Sequence, residues 1–382
     1  MPDLAVTLEP LDPLLFGDNR SGGLADQDPS PATFYGAIGG RLAAALGARG
    51  EADWEKAAPV LGPFEPRLDR PSEKRAALLG YTLADSEGRA WFPRPLHFRL
   101  EVSGRDLFPQ PLLRPARTAA LSSLPAGALP LTAPAGKRAV EEWEEDLWLD
   151  EGLLGEILVG APPTEGSLRA YLRERQDFYL PEPRPGLAMR NATQTVAPGR
   201  LFTRPYRRFR RSAQGSRSAG FHAWYRVPAL GGRSPESFDG TGFLGGDRRR
   251  ARFTFREEEA PLASLRREVQ AAAAEAEGWL AYLLTPGVAP ARGLDIDGQA
   301  PLASALGRAQ PVSGWSASAR ETGPRPVLTL LPAGSVFFFA WPQGKESPDA
   351  RAQLLEDRWL SPLTSAHANS GFGRILTGVW RR

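Results

Sequence analysis

MPDLAVTLEPLDPLLFGDNRSGGLADQDPSPATFYGAIGGRLAAAL, residues 1–46, is the stretch that sets the fold class. Leu4, Val6 and Leu8 alternate with polar or small residues, the period-two pattern of a half-buried strand. A loop rich in glycine, aspartate and asparagine follows, FGDNRSGGLADQD. A helix is then predicted to open at Ser30, a capping residue, with Pro31 at its first position. Phe34, Ile38, Leu42 and Leu46 give it one apolar stripe. Gly36, Gly39 and Gly40 fall inside this helix, and each costs about 1 kcal/mol relative to alanine. Two causes would offset that cost: close packing of the helix on a sheet, or close approach of a ligand backbone.

Outward from this unit, the pattern stays mixed. Residues 50–75 read as an irregular insertion with a short helix, and 90–102 as strand interrupted by prolines. Residues 109–136 are rich in Pro, Ala and Leu and read as a loop or lid. An acidic segment, EEWEEDLWLDEGLLGE, places Trp143, Leu147, Trp148, Leu154 and Ile157 roughly at helical spacing, which predicts an amphipathic helix. Residues 181–211 read as loop and strand. AGFHAWYRV (219–227) and ARFTF (251–255) alternate as strands. Residues 261–284 are predicted helical on Leu265, Val269, Ala273, Ala276, Leu280 and Leu283, and 349–360 form a further helix. The chain ends in a glycine-rich loop leading into a strand. Both halves share an order of strand, helix and strands, compatible with an α+β fold of two ferredoxin-like units.

The 382 residues contain 42% hydrophobic and 24% charged side chains, near globular averages, which excludes a wholly disordered or fibrous chain. Cysteine is absent, so there is no disulfide, thiolate metal site or cysteine nucleophile. With His97, His222 and His367 as the only histidines, a histidine-rich metal centre is not expected. No signal peptide is read at the N-terminus. Two uncharged stretches, 118–136 and 326–344, reach the length of a membrane span. The first reads as loop. The second is broken by Pro332 and Gly334 and reads as two strands around a turn. A soluble, cytoplasmic protein is expected.

Charge is distributed unevenly. Between Arg190 and Arg256 there are 15 Arg, no Lys and three acids, Glu236, Asp239 and Asp247. A GC-rich genome explains arginine over lysine but not the clustering. Such a cluster suits a polyanion. Within it, ATQTVAPGRLFTRPYRRFRRS interleaves Arg200, Arg204, Arg207, Arg208, Arg210 and Arg211 with Phe202, Tyr206 and Phe209. Arginine pairs bidentately with phosphate, and aromatic rings stack on unpaired bases, so the pattern suits single-stranded nucleic acid. The aromatics fit equally as core residues of a strand. In SGFGRILTG, Gly371 and Gly373 would let backbone N–H groups approach phosphate beside Arg374, or would make a tight turn before a strand. No phosphate loop, zinc-protease or serine-elbow motif is present. His222, among Arg217, Phe221, Trp224 and Arg226, is the one histidine placed to act on RNA as a general base.

Three stretches together carry a family likeness: EPLDPLLFGDNR…PSPATFYGAIGGRL, PEPRPGLAMRNATQTVAPGRLFT, and PAGSVFFFAW followed by SGFGRILTG. In these the chain resembles the Cmr-complex subunit of type III-B CRISPR effectors that grips the 5′ tag of the guide RNA, a member of the RAMP superfamily. The resemblance implies two ferredoxin-like domains with long loop and helical insertions. The expected division is 1–180 for the first and 181–382 for the second, which carries the arginine-rich region and the glycine-rich loop. It implies a non-catalytic scaffold that contacts the guide RNA (crRNA), the large polymerase/cyclase-like subunit and the backbone RAMP subunits, with no cofactor, no metal and no membrane. Carried over, Arg20 sits in the loop after the first strand. Arg190, Asn191 and Thr193 lie in the central motif, and Gly371 and Gly373 in the C-terminal loop. The RNA-binding set is therefore Arg20, Arg190, Asn191, Thr193, Arg200, Arg204, Tyr206, Arg207, Arg208, Arg210, Arg211, Gly371, Gly373 and Arg374. Two other readings stay open: a metal-independent endoribonuclease that matures guide RNA, and an adaptor whose arginines meet an acidic protein.

Overall fold

The computed structural model describes residues 1–16, 29–65, 70–103, 106–110, 112–116, 128–132, 147–163, 165–190, 193, 195–213, 217–290, 294–313, 315–318, 321–324 and 326–381. The fold is α+β, with few helices and antiparallel strand pairing in each sheet described below.

The chain opens with strand β1 (Asp3–Pro10) and helix α1 (Pro31–Ala45). Strands β2 (Ala77–Ala84), β3 (Ala90–Pro93) and β4 (Leu147–Leu149) follow, then helix α2 (Glu151–Leu158) and strand β5 (Leu172–Glu174). A long hairpin, β6 (Tyr179–Arg190) and β7 (Thr195–Phe209), comes next. Strands β8 (Gly220–Arg226), β9 (Gly240–Phe243) and β10 (Arg250–Glu257) return to the first sheet. Its eight strands run β9-β10-β1-β8-β2-β3-β4-β5. On one face Leu4, Val6, Leu8, Phe221, Ala223, Tyr225, Phe253 and Phe255 bury themselves against Phe34, Ile38 and Leu42 of α1.

The second half holds α3 (Ala263–Ala272), β11 (Gly278–Leu283), β12 (Ala303–Ala305), β13 (Val336–Ala340), α4 (Pro348–Arg358) and β14 (Ile375–Trp380). Its strands form a four-stranded sheet in the order β12-β13-β11-β14. The halves share one core: Leu79, Phe92 and Trp224 of the first sheet pack in the same cluster as Leu280, Phe338 and Leu376 of the second.

Several expectations are corrected. The expected boundary at 180/181 does not separate the sheets, because β8 and β10 both pair with β1 and complete the first sheet. The helix expected over 261–284 ends early. Residues 263–272 are helical, 273–275 form a 3-10 turn, and 278–283 are a fully buried strand. Gly278 explains the switch, since a Cβ there would lie 2.2 Å from the Phe339 carbonyl oxygen. Of the expected acidic helix, 141–146 lie outside the described residues, Leu147–Leu149 is a strand, and only Glu151–Leu158 is helical, capped by Asp150. Ser30 holds the N-cap position of α1 but makes no side-chain capping bond. The short helix near 58, the proline-broken strand, the two strands around Pro332–Gly334 and the final strand all occur.

Candidate nucleic-acid interface

The hairpin of β6 and β7 is an arm rooted in the core at one end. At the root, Tyr179 pairs with Phe209, their ring centroids 5.2 Å apart, and Phe209 meets Phe221 of the sheet, also at 5.2 Å. The Arg207 backbone turns away from β6: its N–H donates to Leu14 at 2.8 Å and its carbonyl accepts from the Leu14 N–H at 2.9 Å. Arg207 therefore faces Pro181 as a non-hydrogen-bonded pair, and by alternation so do Pro183 with Pro205 and Pro185 with Thr203. At those positions an N–H would point outward. Pro181, Pro183 and Pro185 on one edge and Pro205 on the other have none to offer, so both edges are closed to strand addition there.

The residues of the arm expected to hold RNA whose side chains are described divide into three groups. Arg208, Arg210 and Arg211 expose their side chains at the root of the arm. Arg208 pairs with Glu182, and Arg210 Nε donates to the Gln176 carbonyl at 2.6 Å. Thr193 is exposed near the arm's tip, its hydroxyl 2.7 Å from that of Thr195. Inside the root, Tyr206 and Arg207 are each only 4% exposed. The Arg207 guanidinium lies 4.8 Å from the Tyr179 ring centroid and 5.7 Å from that of Phe16. Arg204 and the Tyr206 hydroxyl both donate to the Asp247 carboxylate. That hydroxyl first, then Arg204 and Arg249, hold the Asp247 carboxyl below its usual range. Tyr206 and Phe209 are thus core residues, and Arg207 packs rather than projects. Arg20 and Asn191 lie outside the described residues, and for Arg190 and Arg200 only the backbone is described.

The C-terminal loop is corrected outright. Arg374 is buried, and its guanidinium donates to the carbonyls of Leu360 at 2.9 Å and Ala368 at 2.7 Å. The Gly371 and Gly373 amides donate to Ala368 and Pro286 at 3.1 and 2.9 Å, so neither faces outward to an anion. Gly371 has φ +84°, and a Cβ there would come within 2.8 Å of Leu78 on β2. The loop is a tight turn that lets one half pack on the other. Asn369 completes the clasp: its Oδ1 accepts from the Ser72 N–H at 2.7 Å and its Nδ2 donates to the Ser72 carbonyl at 3.0 Å.

Beside the arm's root, three segments meet. The chain after β1, the root of β7 and the turn between β9 and β10 are joined by the Leu14–Arg207 bridge, by Gly246 N–H donating to Leu15 at 2.8 Å, and by Asp247. Arg248 is exposed on this turn, and Arg250 is exposed at the first position of β10. Next to it is a cavity of about 400 Å³ lined by Leu15, Phe16, Thr33, Gly36, Ala37, Phe243, Gly245 and Gly246.

A family model described as CRISPR-associated protein (Cas_Cmr3) matches residues 6–380. The chain belongs to the Cas_Cmr3 family. No curated protein matches it. Among solved structures, it is similar to a chain of a cryo-EM structure of the type III-B Cmr-beta complex bound to cognate target RNA and AMPPnP. Identity there is 16% and the TM-score 0.46, over 87% of this chain and 86% of that one. A second chain, from Cmr-beta bound to cognate target RNA, gives 14% identity and the same TM-score over 88% and 86%.

In this Cas_Cmr3 member, Phe243, Arg248, Arg250 and the cavity were not singled out as a site from sequence. The signal for the two arginines was present in RRRARFTFRE, where Arg250, Arg252, Thr254 and Arg256 alternate with the buried Ala251, Phe253 and Phe255; Phe243 and the cavity left none in that stretch. His222 lies on β8 between Thr7 and Thr82, away from the cavity lining, and burial pushes its pKa down to about 4. Among the described residues no cluster of three or more His, Asp or Glu is placed to hold a metal, and no helix is long and apolar enough to cross a membrane.

Proposed function

We propose that this chain is an RNA-binding, non-catalytic scaffold subunit of a type III-B Cmr effector complex, working in the cytoplasm without a cofactor. It would hold the 5′ tag of the guide RNA and bridge the large polymerase/cyclase-like subunit to the backbone RAMP subunits. The observation that carries this reading is the exposure of Arg208, Arg210 and Arg211 at the arm's root, and of Arg248 and Arg250 beside Asp247, which accepts from Tyr206 of the arm. Arginine forks suit phosphate oxygens. The proline-closed edges disfavour a protein partner that docks by adding a strand, which weakens the adaptor reading. His222, with its lowered pKa and place on β8, gives the endoribonuclease reading little support.

The same proposal includes two ferredoxin-like units. The first would comprise β1, α1, β2, β8 and β10, and the second β11, β12, β13, α4 and β14. Numbered within each unit, both sets of strands run fourth-first-third-second across the sheet, which supports the reading. The first unit keeps its first crossover helix and the second unit its second. The units would then divide near 257 rather than at 180.

The test is a tagged pull-down from the native host at moderate salt, with sequencing of bound RNA. Short RNAs sharing one 5′ sequence, recovered with several other CRISPR subunits, are expected. Recovery alone, or with unrelated RNA, would overturn the proposal.

A further inference from the structure

We propose that Glu182 and Asp247 are internal stand-ins for RNA phosphates, which hold the arm's arginines in the RNA-free chain and give them up when RNA binds. The inference rests on the RNA-binding reading and adds what occupies the arginines beforehand. It starts from the polar face of the arm. By strand alternation Glu182 and Arg184 of β6 share that face with Arg204, Tyr206 and Arg208 of β7. Glu182 Oε1 accepts from Arg184 Nε at 2.7 Å, and its other oxygen accepts from Arg208 Nε. One carboxylate thus spans two guanidiniums, as two oxygens of a phosphate would. Asp247 reaches the same face from the turn between β9 and β10, and accepts from Arg204 and the Tyr206 hydroxyl. The Arg184 and Arg249 guanidiniums lie 5.2 and 4.6 Å from the Tyr206 ring centroid, so the two carboxylates serve one cluster.

Two features make these pairs exchangeable. They are open to water: the Glu182 and Asp247 side chains are 22% and 29% exposed, and that of Arg208 is 62% exposed. Ion pairs so placed contribute little to stability, so a phosphate that takes a guanidinium bidentately can replace the carboxylate. The second feature is strain. Asp247 and Arg248 have φ +55° and +52°, the left-handed region that non-glycine residues avoid. Such a conformation persists where its surroundings impose it, and here the bonds to Arg204 and Tyr206 do so. Once phosphate takes Arg204, the turn is free to relax. Arg184, Arg204, Arg208 and Arg249 outnumber the two carboxylates, so the cluster still attracts a polyanion. A stray anion, however, must first displace a carboxylate.

The experiment measures the affinity of the full chain for a guide-length single-stranded RNA by fluorescence anisotropy. Gln and Asn keep an acceptor oxygen and remove the charge. Glu182→Gln and Asp247→Asn should therefore each tighten binding about threefold. Glu182 lies on the arm, so Glu182→Gln carries the test even where Asp247→Asn loosens the turn. In an Arg184/Arg208→Ala background the gain from Glu182→Gln should disappear, because the carboxylate then has nothing to give up. A gain that survives there would mean repulsion at a distance. Weaker binding by Glu182→Gln would mean that the carboxylate positions the arginines for RNA. Either result overturns the proposal. If the gains are absent while an Arg208/Arg210/Arg211→Ala variant still flattens the salt slope, the proposal fails alone. If that variant has no effect either, the RNA-binding reading beneath it fails as well.

Discussion

Arg374 keeps the loop before β14 in place by donating to the Leu360 and Ala368 carbonyls. Burial lowers its pKa to about 10, which leaves it charged at neutral pH. Arg374→Ala would strand two carbonyls and leave a void, so unfolding free energy should fall by about 2–4 kcal/mol in urea titration. RNA affinity of the folded variant should be unchanged, which a phosphate contact would not allow. His97 makes a different prediction. It is 1% exposed, and neither ring nitrogen has a hydrogen-bond partner. Burial, with Arg94 adding to it, pushes its pKa from 6.5 to about 3. The folded protein therefore keeps this ring neutral where the unfolded chain takes a proton. Its contribution is complete above the unfolded value and is lost as pH falls toward the folded one. His222, lowered to about 4, acts in the same direction. Between about pH 6.5 and pH 5 each histidine should remove about 2 kcal/mol. His97→Leu should show about half the wild-type loss in denaturation at the two pH values; an equal loss would contradict the assignment.

The arm's edges are protected by prolines, whose backbone nitrogens carry no hydrogen. Replacing Pro181, Pro183 and Pro185 with valine restores outward donors on a regular strand, so the variant should self-associate with rising concentration in size-exclusion chromatography. A strictly monomeric variant would show that the prolines serve another purpose. The opening strand and α1 were legible because their apolar periods are unmixed, and so were the strands at 219–227 and 251–255. The turn from α3 into β11 was not, because the run AAAAEAEGWLAYLL continues an apolar pattern that a buried strand satisfies as well as a helix. Only the contact of Gly278 with Phe339 and Trp380 decides it. The arginine cluster was legible as a charge. Which arginines project was not, since that depends on Asp247, Leu14 and Tyr179, residues distant in sequence that occupy Arg204 and Arg207.

Across the whole molecule, the two sheets share a core in which Gly80 of β2 leaves room for Leu284: a Cβ there would lie 2.6 Å from it. Neither half has a complete core without the other, so calorimetry should show one cooperative transition, and two separated transitions would argue for independent units. The charge of the molecule bears on the central claim, that exposed arginines at the arm's root hold single-stranded RNA. The most direct measurement is the affinity of the wild type and of an Arg208/Arg210/Arg211→Ala variant for a guide-length single-stranded RNA across a series of salt concentrations. Each phosphate contact on a single strand contributes about 0.7 to the slope of log affinity against log salt. The variant should therefore bind more weakly, with a slope flatter by about 2. Unchanged affinity and an unchanged slope would contradict the claim.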